Sequence, residues 1–162
     1  LACYEKALEI QQKALLSNHP LLASLYNNIG LVYCNMEDYS KALSFHEKTL
    51  TIDQETLSSN HPDLAISYNN IGLVYKNMGE YSKALSFHEK ALEIYQKTLP
   101  SNHSDFAQTY NHIAKLYHNM KDYSKALSCL ECALEIYQCA LPTTHPDIQD
   151  VKKGIEIVKK EL

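Results

Sequence analysis

The segment Tyr68–His103 reads YNNIGLVYKNMGEYSKALSFHEKALEIYQKTLPSNH, and the chain contains two further copies of it at a fixed spacing. One copy lies 42 residues earlier, at Tyr26–His61, and reads YNNIGLVYCNMEDYSKALSFHEKTLTIDQETLSSNH. The other lies 42 residues later, at Tyr110–His145, and reads YNHIAKLYHNMKDYSKALSCLECALEIYQCALPTTH. A tandem repeat of this length is typical of a solenoid, in which each unit buries its apolar face only against its neighbours. The sequence therefore predicts an array whose function lies on its surface.

Each repeat contains two helical patterns separated by a turn. In the central copy Tyr68, Gly72 and Tyr75 recur at helical spacing and define a first helix, here called helix A. Gly79 is expected to end this helix, because glycine accepts the left-handed conformation that closes a helix. A second periodic run, helix B, follows the turn, and its small residues, such as Ala84, predict close approach of the two helices.

A histidine marks the start of each helix A. Pro62 follows His61 and suits the first position of a helix, where a missing N–H leaves no bond unmade. Asp63 then places negative charge near the positive end of the helix dipole. Because the histidine recurs with the repeat, we interpret it as a structural turn residue and not as a catalytic one. The members of this set are His19, His61, His103 and His145.

The pattern of large, small and aromatic residues resembles the tetratricopeptide repeat. The positions that carry the resemblance in the central copy are Tyr68, Gly72, Tyr75, Gly79, Ala84 and Ala91. The 42-residue unit is longer than the usual length of about 34 in that family. Among long versions, the runs NNIGLVY, ALEIYQKTL and NHPD are similar to the repeats of kinesin light chains. The resemblance implies an all-α fold, a right-handed superhelical solenoid of antiparallel helix pairs.

We expect residues 1–162 to form a single repeat array. Residues 1–18 align with helix B alone and are expected to be a half repeat, which indicates a piece of a longer array. Full repeats are expected at 19–60, 61–102 and 103–144. Residues 145–162 have one apolar face among charged residues, which favours a terminal capping helix. The alternative for this last segment is the start of a further repeat.

The composition excludes several classes of protein. Hydrophobic residues make up 45% of the chain, with only 4 Gly and 5 Pro, which indicates a folded helical protein and not a disordered one. The net charge of −4 gives no electrostatic reason to expect nucleic acid or an anionic membrane as a partner. No apolar run approaches the roughly 20 residues that span a bilayer, and no signal-peptide pattern is present. We therefore expect a cytoplasmic protein.

The five cysteines are an odd number within helical runs, which favours reduced thiols. Cys129 and Cys132 are spaced so that they could share a metal ion on one helix face. A structural zinc site needs about four ligands, however, and no matching pair lies nearby in the sequence. Cys129 also occupies the position of Phe45 and Phe87, which favours a packing role. We expect no metal site and no cofactor.

The sequence contains no pattern that predicts catalysis. A glycine-rich phosphate loop, a nucleophile elbow and paired catalytic carboxylates are all missing from it. His46 and His88 lie on the packing stripe of helix B and are expected to be buried against a neighbouring helix. We therefore predict that the protein is not an enzyme.

Helix A side chains that are not needed for packing are expected to line the concave wall of the array. Repeated asparagines there offer donors and acceptors that could hold the backbone of an extended peptide whatever its side chains. Leucines would add apolar contacts, and lysines and histidines make the C-terminal half more positive. This pattern favours a peptide with an apolar or aromatic anchor and acidic neighbours. The predicted peptide-binding residues are Asn27, Asn28, Leu31, Asn35, Asn69, Asn70, Leu73, Lys76, Asn77, Asn111, His112, Lys115, His118 and Asn119.

The resemblance to kinesin light chains implies the same surface and a cargo motif that combines a tryptophan with acidic residues. It carries over to the asparagines that match the motif, which are Asn27, Asn28, Asn69 and Asn70. The alternative is that the asparagines persist only because the repeats arose by duplication.

We predict a non-catalytic protein–protein interaction scaffold that binds a linear peptide and resembles a kinesin light chain cargo adaptor. One alternative is a recruitment or regulatory array within a larger enzyme or signalling protein. Another is head-to-tail self-association, in which the half repeat at Leu1–Leu15 stacks on the last helix, Asp147–Leu162, of another copy.

Overall fold

A computed structural model describes residues 2–162, and within that range the chain forms eight α-helices and no β-strand. The all-α solenoid architecture expected from the sequence is confirmed. The helices are α1 (Ala2–Ala14), α2 (Pro20–Asn35), α3 (Tyr39–Thr56), α4 (Pro62–Asn77), α5 (Tyr81–Thr98), α6 (Ser104–Asn119), α7 (Tyr123–Ala140) and α8 (Pro146–Glu161).

The helices pack in the order in which they occur along the chain. The most extensive contacts lie within the pairs α2–α3, α4–α5 and α6–α7, which are the A and B helices of the three full repeats. Each B helix then packs against the next A helix, and the last of these contacts joins α7 to α8. Because every helix contacts mainly its neighbours in the chain, the apolar core runs along the array and not through one centre.

Small residues allow the two helices of each pair to approach closely. Ala84 of α5 is fully buried, and Gly72 of α4 lies directly against the ring of His88. A Cβ atom at Gly72 would lie 2.8 Å from the imidazole Nε2, which is too close for any side chain. The buried positions predicted for His46 and His88 are confirmed, since the two residues are 1% and 0% exposed. The His88 ring also contacts the ring of His112 on α6, with centroids 5.2 Å apart.

The turn between the A and B helices contains one residue with left-handed backbone. Gly79 has φ 80°, as the sequence indicated. The equivalent residues of the other repeats are Glu37 and Lys121, which adopt φ 59° and φ 62° without the advantage of glycine. The turn geometry is thus kept even where the residue that suits it is missing.

The recurring histidines are helix N-caps. His61 Nδ1 accepts a hydrogen bond of 3.2 Å from the N–H of Asp63, which otherwise has no partner in the first turn of α4. His19, His103 and His145 make the same bond at the start of α2, α6 and α8. The structural role predicted for this set is confirmed.

Candidate peptide-binding groove

The three full A helices stand side by side, and asparagines join them. Asn70 of α4 donates a hydrogen bond of 2.8 Å from Nδ2 to Oδ1 of Asn27 on α2. Asn69 of α4 donates a bond of 3.0 Å from Nδ2 to Oγ1 of Thr109 on α6. The predicted groove residues therefore share one wall, and part of that wall is held together by the amides themselves.

Asn69 is the most constrained member of the predicted set. Its Oδ1 accepts a hydrogen bond of 2.7 Å from Nδ1 of the buried His88, while its Nδ2 is occupied by Thr109. Both ends of this amide are thus used to join α4, α5 and α6. Peptide binding by Asn69 stays a prediction, and the structure adds partners that the repeat pattern does not reveal, because repetition shows that a position is reused but does not show which partner it has.

The other predicted residues differ in how far they face solvent. The exposed members are Asn28, Leu31, Asn35, Asn77, Lys115 and Asn119. The half-buried members are Asn27, Leu73, Lys76, Asn70, Asn111, His112 and His118. Ligand contact at these positions remains a prediction.

Positive charge collects in the groove near α4 and α6. Burial lowers the pKa of Lys76, and the positive charge of Lys115 on the next A helix contributes to the same shift. Neither lysine forms an ion pair with an Asp or Glu within the described part of the chain. Burial, followed by these same lysines, lowers the pKa of His112 to about 4, so its ring is neutral at physiological pH. An anionic group would relieve the repulsion between the two ammonium groups.

A cleft of about 360 Å³ opens at the C-terminal end of the groove, between α6 and α8 with α7 behind them. Its α6 wall carries four of the predicted residues, Asn111, Lys115, His118 and Asn119. The opposite wall belongs to α8 and includes Asp150, Lys153 and Ile157, while Leu130 of α7 forms the floor.

The predicted set does not include the α8 wall, because the sequence pattern favours a capping helix over residues 145–162. A signal for it exists, since Ile157 occupies the repeat position of Leu73 and Lys115, two predicted groove residues. Its side chain is 54% exposed, which leaves an apolar surface beside Lys153. The cleft thus combines an apolar floor with two lysines, Lys115 and Lys153, and one carboxylate, Asp150. The apolar floor beside the lysines suits an apolar or aromatic side chain next to a carboxylate.

A second cleft of about 200 Å³ lies at the other end, between α2 and α4 with α3 behind them. Its chemistry is opposite to that of the first, because Asp53 and Asp63 line it together with Ser24, Asn27 and Ser67. Asp53 is not among the residues that the sequence pattern predicts for the site. The available signal was its departure from the repeat, since Tyr95 and Tyr137 occupy the same position in the next two units.

The described part of the chain contains neither a metal-binding cluster nor a helix that could span a membrane. Within residues 2–162 no cluster of three or more His, Cys, Asp or Glu side chains is arranged to hold a metal ion. Cys129 packs against the apolar core, and burial, with a smaller contribution from Cys132, raises the pKa of its thiol to about 11. None of the described helices combines the length and the hydropathy that are needed to cross a bilayer.

Comparison with protein families gives a match over most of the chain. A model of the tetratricopeptide repeat matches residues 1–55, 21–97 and 63–138. No curated protein matches the chain.

Solved structures give the same fold. One similar structure is that of a kinesin light chain candidate from Podosopora anserina, whose TPR-like repeats are nearly identical to one another. Its sequence is 23% identical to this chain, with a TM-score of 0.81 over 98% of this chain and 75% of that chain. BtubC (BKLC) from P. vanneervenii is 26% identical, with a TM-score of 0.87 over 99% of this chain and 64% of that chain. The N-terminal domain of stress-induced protein-1 from C. elegans is 18% identical, with a TM-score of 0.64 over 86% of this chain and 96% of that chain.

Proposed function

The chain belongs to the tetratricopeptide repeat family, whose arrays are protein-interaction scaffolds, and we propose that this one binds a linear peptide in its concave groove. The observation that carries the proposal is the cleft between α6 and α8, where an apolar floor lies beside Lys115 and Lys153. Such a site fits a peptide with an apolar or aromatic anchor followed or preceded by acidic residues.

The charge distribution supports an acidic ligand over a neutral one. The chain as a whole has a net charge of −4, so the positive charge of the groove lysines is opposite in sign to the net charge of the protein. Lys76 and Lys115 stand close together without an acidic partner in the described structure, and a carboxylate would gain charge-assisted hydrogen bonds from them. Because part of this surface is shielded from water, such bonds are stronger than those on an open surface.

Binding to the cleft is tested with a tryptophan-acidic peptide and a scrambled peptide of the same composition, each carrying a fluorophore. The informative variant is Lys153→Glu, which reverses charge inside the cleft. Its matched control is Lys152→Glu, because Lys152 is the adjacent exposed residue of α8 and lies outside the cleft lining. We expect Lys153→Glu to weaken binding of the tryptophan-acidic peptide about tenfold and Lys152→Glu to change it less than twofold. Equal effects of the two variants would leave only a nonspecific charge attraction.

A double substitution of Asn69 and Asn70, although suggested by the repeat pattern, is a poor test of the groove. Asn69 holds Thr109 and His88, so its loss is expected to disturb the packing of α4 against α5 and α6. Asn28 is the better choice, since its amide is exposed and has no structural hydrogen bond within the described residues. Asn28→Ala is expected to leave the fold intact and to lower peptide affinity.

We further propose that the array acts as a kinesin light chain-like cargo adaptor. The similarity to the BtubC (BKLC) structure and to the Podosopora anserina repeats supports this role at the level of the fold. A heptad coiled coil in the parent protein that captures a motor subunit in a pull-down assay would support the adaptor role. A catalytic domain in the parent protein, with activity that changes when the array is removed, would favour the recruitment alternative.

A further inference from the structure

The cleft between α2, α3 and α4 lies where the first full repeat lacks the aromatic side chain that the next two full repeats have. Tyr95 and Tyr137 are 2% and 3% exposed at the equivalent positions of α5 and α7. Tyr95 packs there against Phe106 of the following A helix, with ring centroids 6.0 Å apart. In the first repeat the residue is Asp53, and a cleft of about 200 Å³ remains beside its carboxylate.

Asp53 is a buried carboxylate without a cationic partner. Its side chain is only 9% exposed, and Ser67 Oγ donates a hydrogen bond of 2.6 Å to Oδ2. Within residues 2–162 no other side chain donates to this carboxylate, and no lysine pairs with it. A carboxylate that is removed from water in this way is costly unless a cation compensates its charge.

The surroundings of Asp53 add to the need for a cation. Burial raises the pKa of Asp53, and the charge of Asp63 at the edge of the same cleft adds a smaller contribution in the same direction, while the Ser67 hydrogen bond opposes them. His61 also opposes the rise in pKa, but its Nδ1 is engaged in capping α4. Leu57 and Ile66 provide apolar walls, which suit the aliphatic stem of a long basic side chain.

We propose that this cleft binds a lysine or arginine side chain of the same peptide that occupies the groove. The basic group would pair with Asp53 at the floor and with Asp63 at the edge, while its stem would pack on Ile66. This inference rests on the proposed peptide-binding function and adds to it a second subsite of opposite charge.

The positions of the two clefts set the distance between the basic residue of the ligand and its apolar and acidic anchor. The N-terminal cleft lies between α2 and α4 and the C-terminal cleft between α6 and α8, which places them two helix spacings apart. With neighbouring helices about 8–10 Å apart, the lateral separation is roughly 20 Å. The linings also differ in height along the A helices by about seven residues, or roughly 10 Å, so an extended peptide spans the distance with about six to seven residues. The preferred ligand is therefore bipolar, with a basic residue about six to seven positions from an apolar and acidic anchor.

The test is a double-mutant cycle between peptide and protein at pH 7.5. The probe is a fluorescent peptide with an arginine about six to seven residues from a Trp-Asp-Asp anchor, made in both chain directions, and its partner carries citrulline, which is uncharged, in place of arginine. The protein variants are Asp53→Asn, which keeps the size of the side chain, and Asp53→Tyr, which restores the residue of the other repeats. Circular dichroism confirms that each variant is folded.

We expect the arginine peptide to bind wild-type protein about tenfold more tightly than the citrulline peptide. In Asp53→Asn and Asp53→Tyr this preference should fall below twofold, while binding of the citrulline peptide stays unchanged. If both peptides bind equally to wild type, or if the arginine preference survives in both variants, the basic subsite is wrong and the groove proposal stands. If neither peptide binds wild type, the groove proposal itself fails and the subsite fails with it.

Discussion

Replacing Gly30 with alanine and His46 with leucine in one protein is expected to raise the stability of the array in acid. His46 is 1% exposed, and neither of its ring nitrogens has a hydrogen-bond partner. Burial lowers the pKa of this imidazole to about 4, compared with an ordinary value of 6.5. The third repeat already contains the replacement pair, because Ala114 and Leu130 occupy the same two positions and are both buried.

The sign of the effect follows from proton binding. Between pH 6.5 and pH 4 the unfolded chain protonates His46 and the folded chain does not, so stability falls as the pH falls through this window. At about pH 4.5 the cost is about 2–3 kcal/mol, because the unfolded group lies two units below its pKa and the folded group remains mostly neutral. The cost is absent above the unfolded pKa of 6.5.

The assay is urea unfolding followed by circular dichroism at neutral and acid pH. The measured quantity is the stability gain of Gly30→Ala/His46→Leu in acid minus its gain at neutral pH, since this difference cancels the effects of altered packing. Gly30→Ala alone serves as a control, because its Cβ would lie 2.8 Å from the His46 ring and should cost stability at both pH values. If the double variant gains equally in acid and at neutral pH, His46 titrates normally and the burial argument is refuted.

Three further predictions concern the turns, the caps and the open cleft. Glu37→Gly and Lys121→Gly should each stabilise the array by about 0.5–1 kcal/mol, whereas Gly79→Ala should cost a similar amount, because all three positions have positive φ. Urea unfolding midpoints measure these changes in stability. A loss of stability in both glycine variants would contradict the prediction. His61→Ala should cost about 1 kcal/mol through loss of the α4 cap, and His61→Asn should recover most of it in thermal melts. Asp53→Tyr should stabilise the array by about 1–2 kcal/mol, because an aromatic ring replaces a buried carboxylate and fills the cleft. A lower melting temperature for this variant would show that the cleft cannot accept the ring.

Sequence periodicity was sufficient to predict the helices, because each repeat carries its own start and stop signals. The histidine that caps α4 and the glycine that ends its turn are both local features, and each is found where the pattern places it. Local signals of this kind do not depend on which helices meet across the array, so they can be recognised without a structure.

The candidate site could be predicted only in part, since it depends on contacts between repeats. Asn69 and Asn28 are both groove asparagines in the sequence, yet one bonds to Thr109 and His88 and the other faces solvent. The α8 wall of the C-terminal cleft was overlooked, because a capping helix and a groove-lining helix have the same amphipathic pattern. Such distinctions are set by partners that lie 19 to 40 residues away in the chain.

Differences between the repeats fall into two kinds, and the structure separates them. Gly72 faces His88 where Ala114 faces Leu130, so a larger residue on one helix accompanies the loss of a ring on the other. This change is compensated and preserves packing. The change from Tyr95 to Asp53 is not compensated, because it opens a cleft and buries a carboxylate without a cation. In a duplicated array, a compensated difference is explained by packing alone, whereas an uncompensated one reduces stability and is the better indicator of a binding site.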